Sequence, residues 1–153
     1  MAPAADMKRS DKVMSESFLL SNMCPQAGIN FNRGIWARLE GAVRGWVRQK
    51  GTLVIITGPV FEPVDNKVSY FVIGDNNVAV PTYFYKIVVD MNNPENFEAL
   101  AFLMPNKTIS SGEIDEYLTS IDEIEKLTGF DFLSALPGET QEILESNISS
   151  EIW

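Results

Sequence analysis

The sequence predicts an α+β fold, laid out as one long helix, then strands, then small helices. Three observations carry that prediction. Apolar residues recur at three- and four-residue steps from Asn32 to about Lys50. Four β-branched or aromatic runs follow, and a capped helical segment opens at Ser120. The elements come in blocks and do not alternate as βαβ units, which separates this class from α/β.

Taken in order, residues 1–12 read as irregular and polar, Met14–Leu20 as mixed, and Ser21–Asn30 as a loop because it holds Pro25 and Gly28. The helix from Asn32 carries Ile35, Trp36, Leu39, Val43, Trp46 and Val47 on one arc, and Gly51 stops it. Gly51–Thr57 is the first strand, ended by Gly58-Pro59. Val68–Ile73 is the second, closed by Gly74-Asp75-Asn76-Asn77. Pro81–Met91 is the third and Leu100–Met104 the fourth. Ser120-Ile-Asp-Glu123 has the form of a capping box, and Gly129 suits the helix end. Phe130, Phe132 and Leu133 are expected to fill the core. A short helix is expected from Glu139 to Ser146, within a peripheral tail over 138–153. No linker divides the chain, so 153 residues with 45% hydrophobic content are read as one domain spanning 1–153.

Composition narrows the function. No apolar run is long enough to span a bilayer. Residues 1–12 lack the apolar core of a signal peptide. The lone Cys24 has no internal disulfide partner. A net charge of −9 speaks against a polyanion partner, but its distribution does not: residues 1–50 hold eight basic groups and four acids, the remainder four and seventeen, and every arginine lies in the first fifty. That basic segment is either an edge facing a polyanion or a face that balances an acidic body.

On a helix turning about 100° per residue, Asn32 projects near the middle of the apolar arc, so its amide is expected buried and in need of partners. Glu40 and Arg44 share one flank, four residues apart, with Arg33 on the same flank. Two readings stand. Asn32 is an N-cap and Glu40–Arg44 an ordinary surface pair, or an amide, a carboxylate and two guanidiniums line a site.

The stretches Ala2-Pro-Ala-Ala-Asp6, Phe18-Leu-Leu-Ser-Asn22, Pro25-Gln26 and Asn32-Arg-Gly-Ile-Trp-Ala-Arg-Leu-Glu40 resemble the core signature of the DNA/RNA non-specific endonucleases, the ββα-metal nuclease family. Ala101-Phe-Leu-Met-Pro-Asn106 and Ser120–Phe132 are similar to later parts of it, so the likeness reaches about Pro137. The resemblance implies a partial ββα-metal (His-Me finger) fold, with a mixed or antiparallel sheet flanked by helices. It implies Mg²⁺ (or Mn²⁺) held by Asn32, catalytic roles for Glu40, Arg44 and Asn22, and nucleic-acid contacts from Arg33, Arg44 and Arg48. DNA and RNA are the implied partners, a homodimer is an assembly open to the chain, and no membrane is involved. The family is commonly periplasmic, secreted or mitochondrial, so the compartment stays unknown, with a lean toward a secreted or periplasmic parent. The family's Asp-Arg-Gly-His motif directly precedes the Ala-Pro-Ala-Ala segment and supplies the general base. This sequence contains no histidine, so the expectation is impaired hydrolysis, or a binding module or interaction remnant that cleaves nothing.

Overall fold

The computed structural model describes residues 1–64, 67–68 and 70–153, with the side chains of 63–64 and 67–68 left aside. The N-terminal region is more ordered than its polarity suggests. A 3₁₀ turn spans Ala4–Asp6, and helix α1 (Asp11–Glu16) is capped by Ser10, whose hydroxyl accepts from the Val13 N–H at 3.3 Å. A serine three residues before an apolar position was the available signal.

The expected long helix has two parts. Gly28–Ile35 winds as a wide π-helical turn, and α2 (Trp36–Lys50) continues it as an α-helix. The wider winding shows in i→i−5 bonds: Asn32 N–H donates to the Ala27 carbonyl at 3.0 Å, and Trp36 N–H to the Phe31 carbonyl. Gly34 accommodates the irregularity at φ −112°, ψ −112°. This corrects the expectation for Asn32. Its side chain is exposed, and Phe31 takes the buried position. Val47 also lies at the surface, while Ile35, Trp36, Leu39, Val43 and Trp46 are buried. Gly51 ends α2 as expected, at φ +97°, its N–H donating to Val47.

Strand β1 (Leu53–Val60) runs through Gly58-Pro59, where an end was expected. It is tolerated because β1 is an edge strand, where proline's missing N–H costs no ladder bond. Gly58 is needed for another reason: a Cβ there would sit 2.7 Å from the Tyr85 hydroxyl. Next come β2 (Pro63–Val64) paired with β3 (Lys67–Val68), and β4 (Phe71–Ile73) paired with β5 (Val78–Val80). The expected strand Val68–Ile73 is therefore interrupted, with Ser69 outside the described residues. Strands β6 (Tyr83–Asp90), β7 (Glu98–Pro105) and β8 (Leu118–Thr119) complete an antiparallel sheet in the order β1-β6-β7-β8. Helices α3 (Ile121–Thr128) and α4 (Gly138–Ser146) close the chain.

The sheet separates two cores, and β6 feeds both by alternation. Phe84 and Val88 pack with Phe31, Trp36, Leu39 and Trp46 under α2. Tyr85, Ile87 and Val89 pack with Ile121, Ile124 and Leu144 under α3 and α4. Residues 138–153 are not a peripheral tail. Leu144 and Glu145 are buried, and the Trp153 ring meets Trp46 edge-on at 5.7 Å. Trp46 donates its indole N–H to the Trp153 carbonyl, and Lys50 Nζ lies 4.3 Å from the Trp153 ring centroid. Of the three residues expected to plug the core, Leu133 is buried and Phe132 packs on the second cluster. Phe130 is exposed and only leans on Phe132.

Candidate active site

The wide turn and α2 present Asn32, Trp36, Glu40 and Arg44 at four-residue intervals, beside the loop that carries Asn22 and Gln26. Asn22, Gln26, Asn32, Trp36 and Glu40 line one cleft of about 320 Å³, walled on its other side by Ala2 and Pro3. Glu40 also borders a second cavity, of about 520 Å³, with Asp6, Ile55, Thr57 and Lys86. Together with Met1, Ala2 and Pro3 it therefore forms the wall that the two share.

Asn22 was expected among the catalytic residues. Its amide is committed to backbone: Oδ1 accepts from the Ala2 N–H at 2.6 Å, and Nδ2 donates to the Ala2 and Ser17 carbonyls, both at 2.8 Å. That arrangement clamps the chain at Ala2 against the cleft and leaves the Asn22 amide occupied by backbone. Asn106 does the same for the other rim. Its Oδ1 accepts from Ala27 N–H at 2.8 Å, and its Nδ2 donates to the Pro25 and Pro81 carbonyls, fixing the loop that bears Gln26 to the sheet.

Arg44 is held by two carboxylates. Its Nε donates to Asp6 Oδ1 at 2.5 Å, and its Nη2 lies 3.5 Å from Glu40 Oε2. The Glu40–Arg44 pair expected from spacing is thus present, and Asp6 was the partner not singled out. Arg33 and Arg48 are exposed, line neither cavity, and form no ion pair among the described residues.

Lys86 was also missed. Only 2% of its surface is exposed. A lysine inside the apolar run Tyr83–Val89 was the signal. Its Nζ stands 4.8 Å from the Trp36 ring centroid. Desolvation pushes the Lys86 ammonium below its ordinary range, Glu40 and Asp6 pull it back, and Arg44 adds to the lowering. Burial likewise raises the Glu40 carboxyl, against the opposing pull of Lys86 and Arg44, while Asp6 pushes it further up.

The donor set suits a hydrated divalent ion beside a phosphate. Asn32 offers an exposed amide oxygen with no protein partner among the described residues. One neutral oxygen fits a hard cation that keeps most of its waters. Gln26 Nε2 is the one buried side-chain polar atom without a hydrogen bond among the described residues, and Gln26 is among the residues that line this cleft. A buried orphan donor calls for an acceptor, such as a phosphate oxygen or a water. A separate acidic group, Asp122, Glu125 and Glu145, lies on the opposite face of the sheet. There Glu125 and Glu145 accept from the Phe132 and Leu133 N–H groups, so they serve the 130–133 loop.

The sequence model of the DNA/RNA non-specific endonucleases matches residues 1–139. The mitochondrial nuclease of Saccharomyces cerevisiae is 39% identical over 164 residues, covering 99% of this chain and 50% of that protein. Mitochondrial endonuclease G of Caenorhabditis elegans is 37% identical, covering 89% of this chain and 46% of that protein. A crystal structure of the EndoG/EndoGI complex superposes with a TM-score of 0.80 at 35% identity, over 90% of this chain and 58% of that one. The expected ββα-metal fold is the one shared with it. The chain spans about half the length of the curated relatives it matches.

Proposed function

Because the chain belongs to the DNA/RNA non-specific endonuclease family, we propose that it forms the metal- and phosphate-holding part of an enzyme that hydrolyses DNA and RNA phosphodiesters without reading sequence. The observation that carries this reading is the convergence of Asn32, Glu40 and Gln26 on one cleft, with Arg44 bound to Glu40 at its edge. Asn32 would hold Mg²⁺ or Mn²⁺. When bound, the cation offsets charge on a non-bridging phosphate oxygen and on the leaving 3′ oxygen.

The remaining roles fall to the chain's own groups. Glu40 accepts hydrogen bonds from water in the cleft and orients it. Arg44 turns its planar guanidinium to the phosphate, for which bidentate bonding suits it. Gln26 donates its buried N–H to a phosphate oxygen. Arg33 and Arg48, exposed on the helical rim, meet flanking phosphates, and contacts of that kind carry no base information. Asn22 keeps Ala2 in place at the cleft wall.

Hydrolysis also needs a base to take the proton of the attacking water, and the 153 residues contain no histidine. Loss of such a base typically removes about two to four orders of magnitude in rate. That observation favours a second reading, a module that binds nucleic acid and does not cut it. Plasmid nicking in Mg²⁺, set beside DNA binding in EDTA, separates the two. Nicking that disappears in Asn32→Ala supports the enzyme, whereas binding without nicking supports the module. The mitochondrial names of the relatives favour a mitochondrial parent over the secreted or periplasmic one expected above. A homodimer is carried as part of the proposal, and sedimentation of the chain tests it.

A further inference from the structure

The middle of β6 holds the least expected side chain in the molecule. Phe84 and Val88, the neighbours of Lys86 on the α2 side, are fully buried and apolar. An apolar residue at position 86 would extend that core without desolvating an ammonium. The charge is kept under the turn of α2 that carries Glu40. Trp36 lies against the ammonium at 4.8 Å, and Lys86 and Glu40 border the same cavity from opposite elements.

We propose that Lys86 is a positioning residue of the nuclease site: its ammonium, set beneath α2 from the centre of the sheet, holds the Glu40 carboxylate in place as the anionic wall of the cleft that contains Asn32. The inference rests on the nuclease reading for its consequence in catalysis, and on the cavity that Lys86 and Glu40 both line for their juxtaposition. Four groups face one another here. Lys86 comes from β6, Glu40 and Arg44 from α2, and Asp6 from the turn before α1, with the Met1 amino group also near Lys86. Arg44 is drawn toward Asp6 at 2.5 Å and sits farther from Glu40 at 3.5 Å. That leaves Lys86, from β6, as the cation that faces Glu40 across the cavity both residues line. Their charges act across the cavity, because among the described residues Lys86 makes no direct ion pair.

The test compares Lys86→Met, Lys86→Arg, Glu40→Gln and the double variant. Carbon-13 NMR of the glutamate-labelled chain follows the Glu40 carboxyl, assigned by its loss in Glu40→Gln. Removing an opposite charge at this range should raise the Glu40 midpoint by about one unit, and Lys86→Arg should restore most of it. Nitrogen-15 NMR reads the same coupling from the other end. The Lys86 ammonium should titrate lower in Glu40→Gln, and this measurement stands even where Lys86→Met fails to fold. In plasmid nicking, Lys86→Met should lower kcat about tenfold with KM unchanged, and should cost nothing further in the Glu40→Gln background. An unmoved Glu40 midpoint in Lys86→Met, an unmoved Lys86 midpoint in Glu40→Gln, or additive losses in the double variant would overturn the proposal. Coupled midpoints in a chain that nicks nothing leave the pairing of Lys86 with Glu40 intact and place the failure in the nuclease reading.

Discussion

The Asp6–Arg44 contact makes a direct test of how the site meets a phosphate. Arg44 Nε donates to Asp6 at 2.5 Å, so under the proposed role of Arg44 a phosphate would compete with a carboxylate for the same guanidinium. Asp6→Asn removes the competitor's charge and keeps its shape. The two side chains are 31% and 36% exposed, so the pair is partly screened and is worth about 1 kcal/mol at most. Releasing that amount should strengthen phosphate binding about fivefold, since about 1.4 kcal/mol is tenfold. The assay is fluorescence anisotropy of a short labelled duplex in EDTA at fixed ionic strength. Deleting any acid also strengthens binding through net charge, and the Arg44→Ala background isolates that part, which should stay below about twofold because screened charge acts weakly. An unchanged affinity in Asp6→Asn refutes the competition. So does an equal gain with and without Arg44.

Three further outcomes are expected. Trp153→Ala removes an edge-on aromatic pair with Trp46 and the cation–π contact of Lys50, about 2 kcal/mol together, so the chain should melt about 4–8 °C lower by near-ultraviolet circular dichroism. A truly peripheral tail would show no shift. Added imidazole should raise Mg²⁺-dependent nicking about tenfold by supplying the neutral-range base that the sequence lacks, and Asn32→Ala should gain nothing from it. The folded pKa of Lys86 is lowered, so between that value and 10.5 the unfolded chain binds the extra proton and stability rises with pH. Lys86→Met should flatten this rise in urea titrations across the alkaline range, and an equal slope in both chains would contradict the assignment.

Much of the architecture was legible because it rests on local grammar. The period of α2, the Gly51 stop, the apolar run of β6 and the Ser120 cap each report themselves within a few residues. What escaped was set by distant partners or by brevity. A two-residue strand such as β8 exists only because β7 lies beside it. Leu144 and Trp153 read as tail because their burial depends on α3 and on Trp46. At the site, the Glu40–Arg44 pair followed from spacing, but Asp6 lies 38 residues from Arg44 and no periodicity links them. Lys86 was visible as an anomaly in an apolar strand, and its meaning depended on which helix covers that face. Asn22 lines the cleft, yet its three bonds to backbone could not be read from its neighbours.

The wide turn at Gly28–Ile35 has a consequence for how such a site can arise. An α-helix locks every side chain to one angular schedule, so a residue on the core-facing stripe stays there. Winding the first turn with i→i−5 bonds shifts the phase of everything before Trp36 relative to everything after it. Phe31 inherits the core slot and Asn32 swings to the surface, while Glu40 and Arg44 keep their alignment over the sheet. One covalent rod thus works as two differently timed segments: the first aims a neutral oxygen outward, and the second stays anchored to its hydrophobic bed. The segment that carries Asn32 and the segment that carries Glu40 and Arg44 can then be tuned separately without disturbing the packing beneath them.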